Sequence, residues 1–313
     1  MRLISIHFIF FMKQIVTGII LTLLAGGIIT NISHQKTSQN HVPQNIPADS
    51  TTTTLLSEKT IQDSYGKDTR NTITVTLPKN RTSKTPFILF IHGGAWTSGD
   101  KKDIAIIQTI LSQQGIASAA INYRYVSKDV HYDDLMEDVT QAIDYIEKNL
   151  EAWNIGKKKI SIGGISAGAH MSLLYAYKYD TAHTIGSIIS MAGPTDLSDP
   201  EMLNTAEKNN MLGFVNLLVD DIYIKNTPVP KHFTEASPIF YTKNIPTLLI
   251  HGNKDSIVLY NQSTKLDQEL EKKGVPHKLI TIDNANHDLG LANPRNATRI
   301  TQEVTRWIQT YTQ

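Results

Sequence analysis

Beyond residue 63 the apolar positions fall in short dense blocks, and amphipathic stretches separate the blocks. Residues 72–77 alternate Thr with Ile, Val and Leu, the period of a half-buried strand. Residues 87–91 read Phe-Ile-Leu-Phe-Ile, as expected of a strand covered on both faces. Residues 116–121, 159–162, 185–191, 247–251 and 277–282 predict further strands, and residues 104–111, 133–150, 167–179 and 262–273 predict helices between them. In 133–150, Leu135, Val139, Ala142, Ile143, Ile146 and Leu150 share one helical stripe. An acidic start and Lys148 near its end suit the helix dipole. Gly115 and Gly274 stand where helices stop, a position that favours left-handed backbone. Ile300, Val304, Trp307, Ile308 and Tyr311 make the stripe of a last helix. Strands alternating with helices predict an α/β fold: a mostly parallel central sheet with helices on both faces. Such sheets place their chemistry in loops at the carboxyl ends of the strands.

Two regions depart from this alternation. Between Asp196 and Ser237 lies a long excursion with an apolar piece at 211–219, which favours a small lid insertion, residues 197–235, over disorder. At the N-terminus, Arg2 and Lys13 bracket one short apolar stretch, and a second runs from Ile15 to Ile32. Residues 1–33 therefore predict a signal peptide or an N-terminal membrane anchor, since the run approaches the ~20 residues that span a bilayer. Residues 34–58, rich in Ser, Thr, Gln, Asn and Pro, predict a linker, and 59–313 the folded domain. The expected location is outside the cytoplasm, periplasmic or secreted, with any membrane attachment made through the N-terminus alone.

Composition narrows the partners. With 40% hydrophobic and 19% charged residues in 313, the chain can bury one large core. Its net charge is +1 and its one basic triplet, Lys157-Lys158-Lys159, enters a strand, so nucleic acid is not an expected partner. There is no cysteine, which excludes disulfides, thiolate nucleophiles and thiolate metal sites.

The chemistry-bearing residues sit at strand ends. Gly164-Ile165-Ser166-Ala167-Gly168 joins a strand to a helix. A Ser in such a turn is strained and exposed, and the helix N-terminus lies beneath any negative charge that develops there. A hydroxyl nucleophile needs a base. Of 11 histidines, His287 falls in a carboxyl-end loop late in the chain. His34 and His41 lie in the linker, His131 and His183 at helix ends, and His277 at the wrong end of its strand. The base needs an acid to fix its tautomer. Asp255 follows the strand before His287; Asp196, Asp283 and Asp288 are the rivals. Gly93, Gly94 and Ala95, after the strand at 87–91, and Ala167, after Ser166, offer backbone amides for an oxyanion. His92 reads as a brace for that loop. Trp96 reads equally as a pocket wall or as packing beneath the loop.

His92-Gly93-Gly94-Ala95-Trp96, Asn122-Tyr123-Arg124, Asp138, the Ser166 turn, Gly252-x-x-Asp255-x-x-Val258 and His287 together resemble the α/β-hydrolase carboxylesterases. The nearest groups are the hormone-sensitive-lipase-like and the bacterial feruloyl-esterase-like or acetyl-esterase-like enzymes, over about residues 63–312. The resemblance implies the α/β-hydrolase fold, with Ser166 as nucleophile, Asp255 as acid and His287 as base. It also implies an oxyanion hole around Gly93, Gly94 and Ala167, and neither metal nor organic cofactor. Ala95 replaces the third glycine of the lipase-like motif, and Ala169 follows Gly168. Both features place the chain nearer the feruloyl- and acetyl-esterase side. The expected activity is hydrolysis of short acyl or aryl esters, small molecules or carbohydrate esters, through an acyl-enzyme. An exopeptidase or amidase on the same fold, and a catalytically silent binding protein, are the alternatives.

Overall fold

The structure, a computed structural model, describes residues 56–156 and 159–312. The signal or anchor segment and residues 34–55 of the linker lie outside the described residues. Eight strands form one sheet in the order β1-β2-β4-β3-β5-β6-β7-β8. They are β1 (Lys59–Ser64), β2 (Thr72–Leu77), β3 (Phe87–Ile91), β4 (Ala117–Ile121), β5 (Ile160–Ile165), β6 (Ile185–Met191), β7 (Thr247–Gly252) and β8 (His277–Ile282). β1 and β2 run antiparallel at one edge, and every pairing from β4 to β8 is parallel.

The solid apolar blocks follow from coverage on both faces. Along β3, Phe87, Leu89 and Ile91 enter one core with α2 (Tyr132–Asn149), α3 (Ala167–Leu174) and α7 (Asn261–Lys272). Ile88 and Phe90 enter a second core with α1 (Ala105–Gln113) and α8 (Pro294–Tyr311). The alternation of faces is the two-residue period of a strand. α3 is buried along its whole length, so it shows no polar face.

β1 has no counterpart in the predicted pattern. All but Ile61 of its residues are exposed, so it has no apolar face to read. It is held by its ladder to β2, Lys59 facing Leu77 and Ser64 facing Thr72.

The excursion after β6 is helical: α4 (Pro200–Lys208), α5 (Leu212–Val219) and α6 (Lys231–Glu235). Asp199 caps α4 by accepting from the Glu201 amide, and Pro200 supplies the fixed first-turn φ. The two ends of the excursion are clasped together. The Leu197 amide donates to Ser237 Oγ at 2.7 Å, and the Ile239 amide to the Thr195 carbonyl at 3.1 Å. The insertion is thus a closed outgrowth above the carboxyl edge of the sheet. Among the described residues no helix is long and apolar enough to cross a membrane.

Strand order reverses beside β3, with β4 on one side and β5 on the other. Loops leaving β3 and β5 part at that point and open a crevice, where sheets of this kind bind ligands.

Candidate active site

Ser166 stands between β5 and α3 with φ 55° and ψ −123°. A β-carbon makes that conformation unfavourable by about 1–3 kcal/mol, so the surroundings must hold it. The Ser166 amide donates to the Met191 carbonyl at 2.8 Å, fixing the turn to the neighbouring strand. Gly164 and Gly168 allow the turn to close: a β-carbon on Gly164 would lie 2.4 Å from the Gly168 carbonyl carbon.

His287 and Asp255 arrive on loops that lock together. The Lys254 amide donates to the Ala285 carbonyl at 2.9 Å, and the Ser256 amide to Asn286 Oδ1 at 3.0 Å. The same Asn286 oxygen accepts from the His287 amide at 2.8 Å. His287 Nε2 then accepts from Ser166 Oγ at 2.9 Å, while its Nδ1–H donates to Asp255 Oδ2 at 2.7 Å. Asp255 Oδ1 accepts from the amides of Ile257 and Val258 at 2.9 and 3.0 Å. Burial alone would raise the Asp255 carboxyl, but hydrogen bonds from His251 and His287 outweigh it and hold the group well below the usual carboxylate range. It is therefore an anion facing an imidazole N–H.

The rival acids are engaged elsewhere. Asp196 accepts from the amide and hydroxyl of Ser198, Asp283 from Asn253, and Asp288 from the Gly290 amide.

Gly93, Gly94 and Ala95 follow β3 beside the Ser166 turn. A β-carbon on Gly93 would sit 3.3 Å from Ser166 Cβ. Gly94 at φ 118°, Ala95 at 48° and Trp96 at 59° curl the backbone inward. The Ala167 amide opens α3, where first-turn amides lack an intrahelical acceptor. His92 braces this loop. Fully buried, it donates Nδ1–H to the Gly93 carbonyl at 2.7 Å and stacks on Tyr123 at 4.4 Å between centroids. Burial pushes the His92 imidazole down to about 4. The Tyr123 hydroxyl donates to the His92 carbonyl at 3.1 Å. Arg124 beside it is held by Asp138, through Nε at 2.9 Å and its amide at 2.8 Å. The Asn122-Tyr123-Arg124 and Asp138 elements are thus a scaffold beneath the loop.

Trp96 has both roles left open by the sequence. It lines the cleft beside Ser166, and its Nε1–H donates to His170 Nδ1 at 3.3 Å. The cleft is narrow, with room of about 20 Å³ for the centre of a water-sized sphere, and it is lined by Ala95, Trp96 and Pro194 together with Met202, Met211 and Val215 of the insertion. Among the described residues, none that lines it is charged.

Two buried histidines beside this machinery escape a reading of the sequence. His170 joins Trp96 to the Ala236 carbonyl, and His251 contacts Asp255. His170 meets partners 74 and 66 residues away, whereas His251 meets Asp255 across the turn that leaves β7.

This fold, with a strained Ser at the strand–helix turn and a strand-end Asp–His pair, defines an α/β-hydrolase. The chain belongs to the BD-FAE family, whose model matches residues 73–270. A probable isoprenylcysteine alpha-carbonyl methylesterase of Oryza sativa subsp. japonica is 26% identical over 252 residues, covering 74% of this chain and 57% of that protein. Esterase LipC of Mycobacterium tuberculosis is 28% identical over 219 residues, covering 66% and 53%. The chain therefore spans a little over half the length of these curated relatives. Among solved structures, a truncated carbohydrate esterase from gut microbiota superposes with a TM-score of 0.65 at 21% identity, covering 84% of this chain and 99% of that one. A bacterial heroin esterase gives a TM-score of 0.67 at 19% identity, covering 84% and 86%. These structures bear on the fold, and they share its α/β-hydrolase architecture.

Proposed function

We propose that the protein hydrolyses carboxylic esters of short, uncharged acyl groups through a covalent acyl-enzyme. The observation that carries this reading is the unbroken path from Ser166 Oγ through His287 to Asp255, with bonds of 2.9 and 2.7 Å, at the mouth of an apolar cleft. Ser166 Oγ attacks the carbonyl carbon as its proton passes to His287 Nε2. The imidazolium is held by the Asp255 carboxylate through Nδ1–H. Amides of Gly93, Gly94, Ala95 and Ala167 surround the position of the oxyanion. His287 returns the proton to the leaving alcohol; it then takes a proton from water as the water oxygen bonds to the acyl carbon, and it gives that proton to Ser166 Oγ as the bond from Oγ to the acyl carbon breaks and the acid leaves.

The esterase names of the curated relatives support the reaction class, and the carbohydrate esterase neighbour is compatible with an ester on a sugar. An apolar cleft with no charged lining favours ester over peptide, because an exopeptidase needs a partner for a charged terminus. Export through the N-terminal apolar segment belongs to the same proposal. The test is turnover of p-nitrophenyl acetate by the wild type and Ser166→Ala, together with labelling by a fluorophosphonate. The substitution should lower kcat by about three or more orders of magnitude and abolish labelling. Undiminished turnover in Ser166→Ala would overturn the reading.

A further inference from the structure

Asp255 Oδ2 accepts two imidazole N–H groups. One is His287 Nδ1–H at 2.7 Å. The other is His251 Nε2–H at 3.1 Å, which is shared with the Val258 carbonyl at 2.9 Å. His251 lies on β7, four residues before Asp255, and both side chains are fully buried. Its far nitrogen, Nδ1, lies 2.7 Å from Ser263 Oγ on α7. Because Nε2 faces two acceptors, it bears the proton, and Nδ1 accepts from the serine hydroxyl. The titratable side chains facing the pair are His287 from the loop after β8 and Tyr260 at the start of α7. The Tyr260 ring meets His251 edge-on at 5.8 Å.

We infer that His251 is a positioning residue that holds Asp255 against His287 and moderates the carboxylate's pull on the His287 proton. The inference rests on the catalytic reading of Ser166, Asp255 and His287. The physical basis is competition for one oxygen. Charge that Oδ2 shares with His251 is withheld from His287, since each donor to a carboxylate stabilises its anionic form and lowers its basicity. His251 also holds Oδ2 while the Ile257 and Val258 amides hold Oδ1, so rotating the carboxylate away from His287 would break bonds at both oxygens. Without the second donor, Oδ2 would hold the imidazolium more strongly. The base would then stay protonated to higher pH, and the carboxylate would be less well placed.

Two substitutions separate the ends of the ring. His251→Asn keeps a polar atom near Ser263 but falls short of Asp255. His251→Gln reaches Asp255 with an amide N–H. The readout is the pH profile of kcat/KM for p-nitrophenyl acetate, with kcat and KM resolved and folding checked by circular dichroism. His251→Asn should move the acid limb upward by about half to one pH unit and lower kcat roughly tenfold at nearly constant KM. His251→Gln should restore the limb to its wild-type position. Equal profiles in both variants, or lost activity with the limb unmoved, would overturn the inference and leave His251 a packing residue. If His251→Asn does not fold, Ser263→Ala gives the milder form of the same test: a smaller upward shift is expected, and an unmoved limb counts against the inference. Failure of Ser166→Ala to abolish activity would instead strike the underlying catalytic reading, so the two failures are distinguishable.

Discussion

Gly168, two residues past Ser166, lies directly against the carbonyl oxygen of Ile91 at the end of β3. A β-carbon there would stand 2.1 Å from that oxygen and 2.6 Å from the His92 carbonyl. The helix that follows Ser166 and the loop bearing Gly93, Gly94 and Ala95 are thus spaced by the absence of one side chain. Gly168→Ala should force the two apart, costing about 1–3 kcal/mol of stability through overpacking. Activity should fall by more than the loss of stability alone would cause, because the Gly93, Gly94 and Ala95 amides proposed to bind the oxyanion shift relative to Ser166. Thermal unfolding and p-nitrophenyl acetate turnover measured on the same sample would check this. Wild-type activity in the variant would show that the contact does not set the site.

Asp255→Asn should reduce kcat by several orders of magnitude, since an amide no longer selects the His287 tautomer that accepts from Ser166. Asp196→Asn should leave kcat within a few-fold of wild type, because the Asp196 carboxylate accepts from the amide and hydroxyl of Ser198 on its own turn and, among the described residues, makes no hydrogen bond to His287. Steady-state kinetics of the two variants side by side decides between the acids. A larger loss at Asp196 would reverse their roles.

The cleft wall contributed by the insertion sets a length limit. Met202 and Met211 line the cleft together with Trp96. Met211 is only partly buried, so shortening it should leave the core intact. Met211→Ala should extend the accepted acyl group by about two methylenes, worth roughly 0.8 kcal/mol each, or about tenfold or more in relative kcat/KM. Comparing p-nitrophenyl acetate, butyrate and hexanoate would reveal it. An unchanged ratio would place the acyl group elsewhere.

Strands β3 to β7 are legible because each is sealed on both faces and is mostly apolar or small along its length, while β8, at the sheet edge, is legible through its apolar Leu279, Ile280 and Ile282. β5 extends beyond its predicted end at Ile162, through Gly163, Gly164 and Ile165, because glycines contribute no apolar signal although the close crossing requires them. β1 is illegible for the opposite reason: exposed on both faces, it carries no pattern to read. The site divides in the same way. Ser166, Asp255 and His287 stand out because a turn motif and strand-end positions are local features of the chain. That His170 touches Trp96, 74 residues away, depends on how distant segments return; that His251 touches Asp255, four residues on, depends on how the chain turns back after β7, and strand periodicity does not encode that turn. Trp96 serves two purposes at once, and residue type alone could not separate them.

Acid should destabilise the fold through buried imidazoles. Burial pushes both His92 and His170 down to about 4. In the unfolded chain each titrates near 6.5. Between those values the unfolded chain binds a proton at each position and the folded chain does not. Stability therefore falls as pH drops from about 6.5 to about 4, by about 1.4 kcal/mol per pH unit for each histidine. Asp255 acts lower on the scale. Its folded value is depressed, so its contribution is full above about 3.9 and is lost as pH falls further. His170→Gln isolates one histidine, because the amide can accept from Trp96 Nε1–H and donate to the Ala236 carbonyl, the two bonds His170 makes. The variant should be less stable than wild type at pH 7.5, and the gap should narrow by about 2 kcal/mol at pH 5 as wild type alone loses the neutral imidazole's share. Urea unfolding at the two pH values measures it; a gap of the same size at both would mean that His170 does not titrate as a buried neutral group.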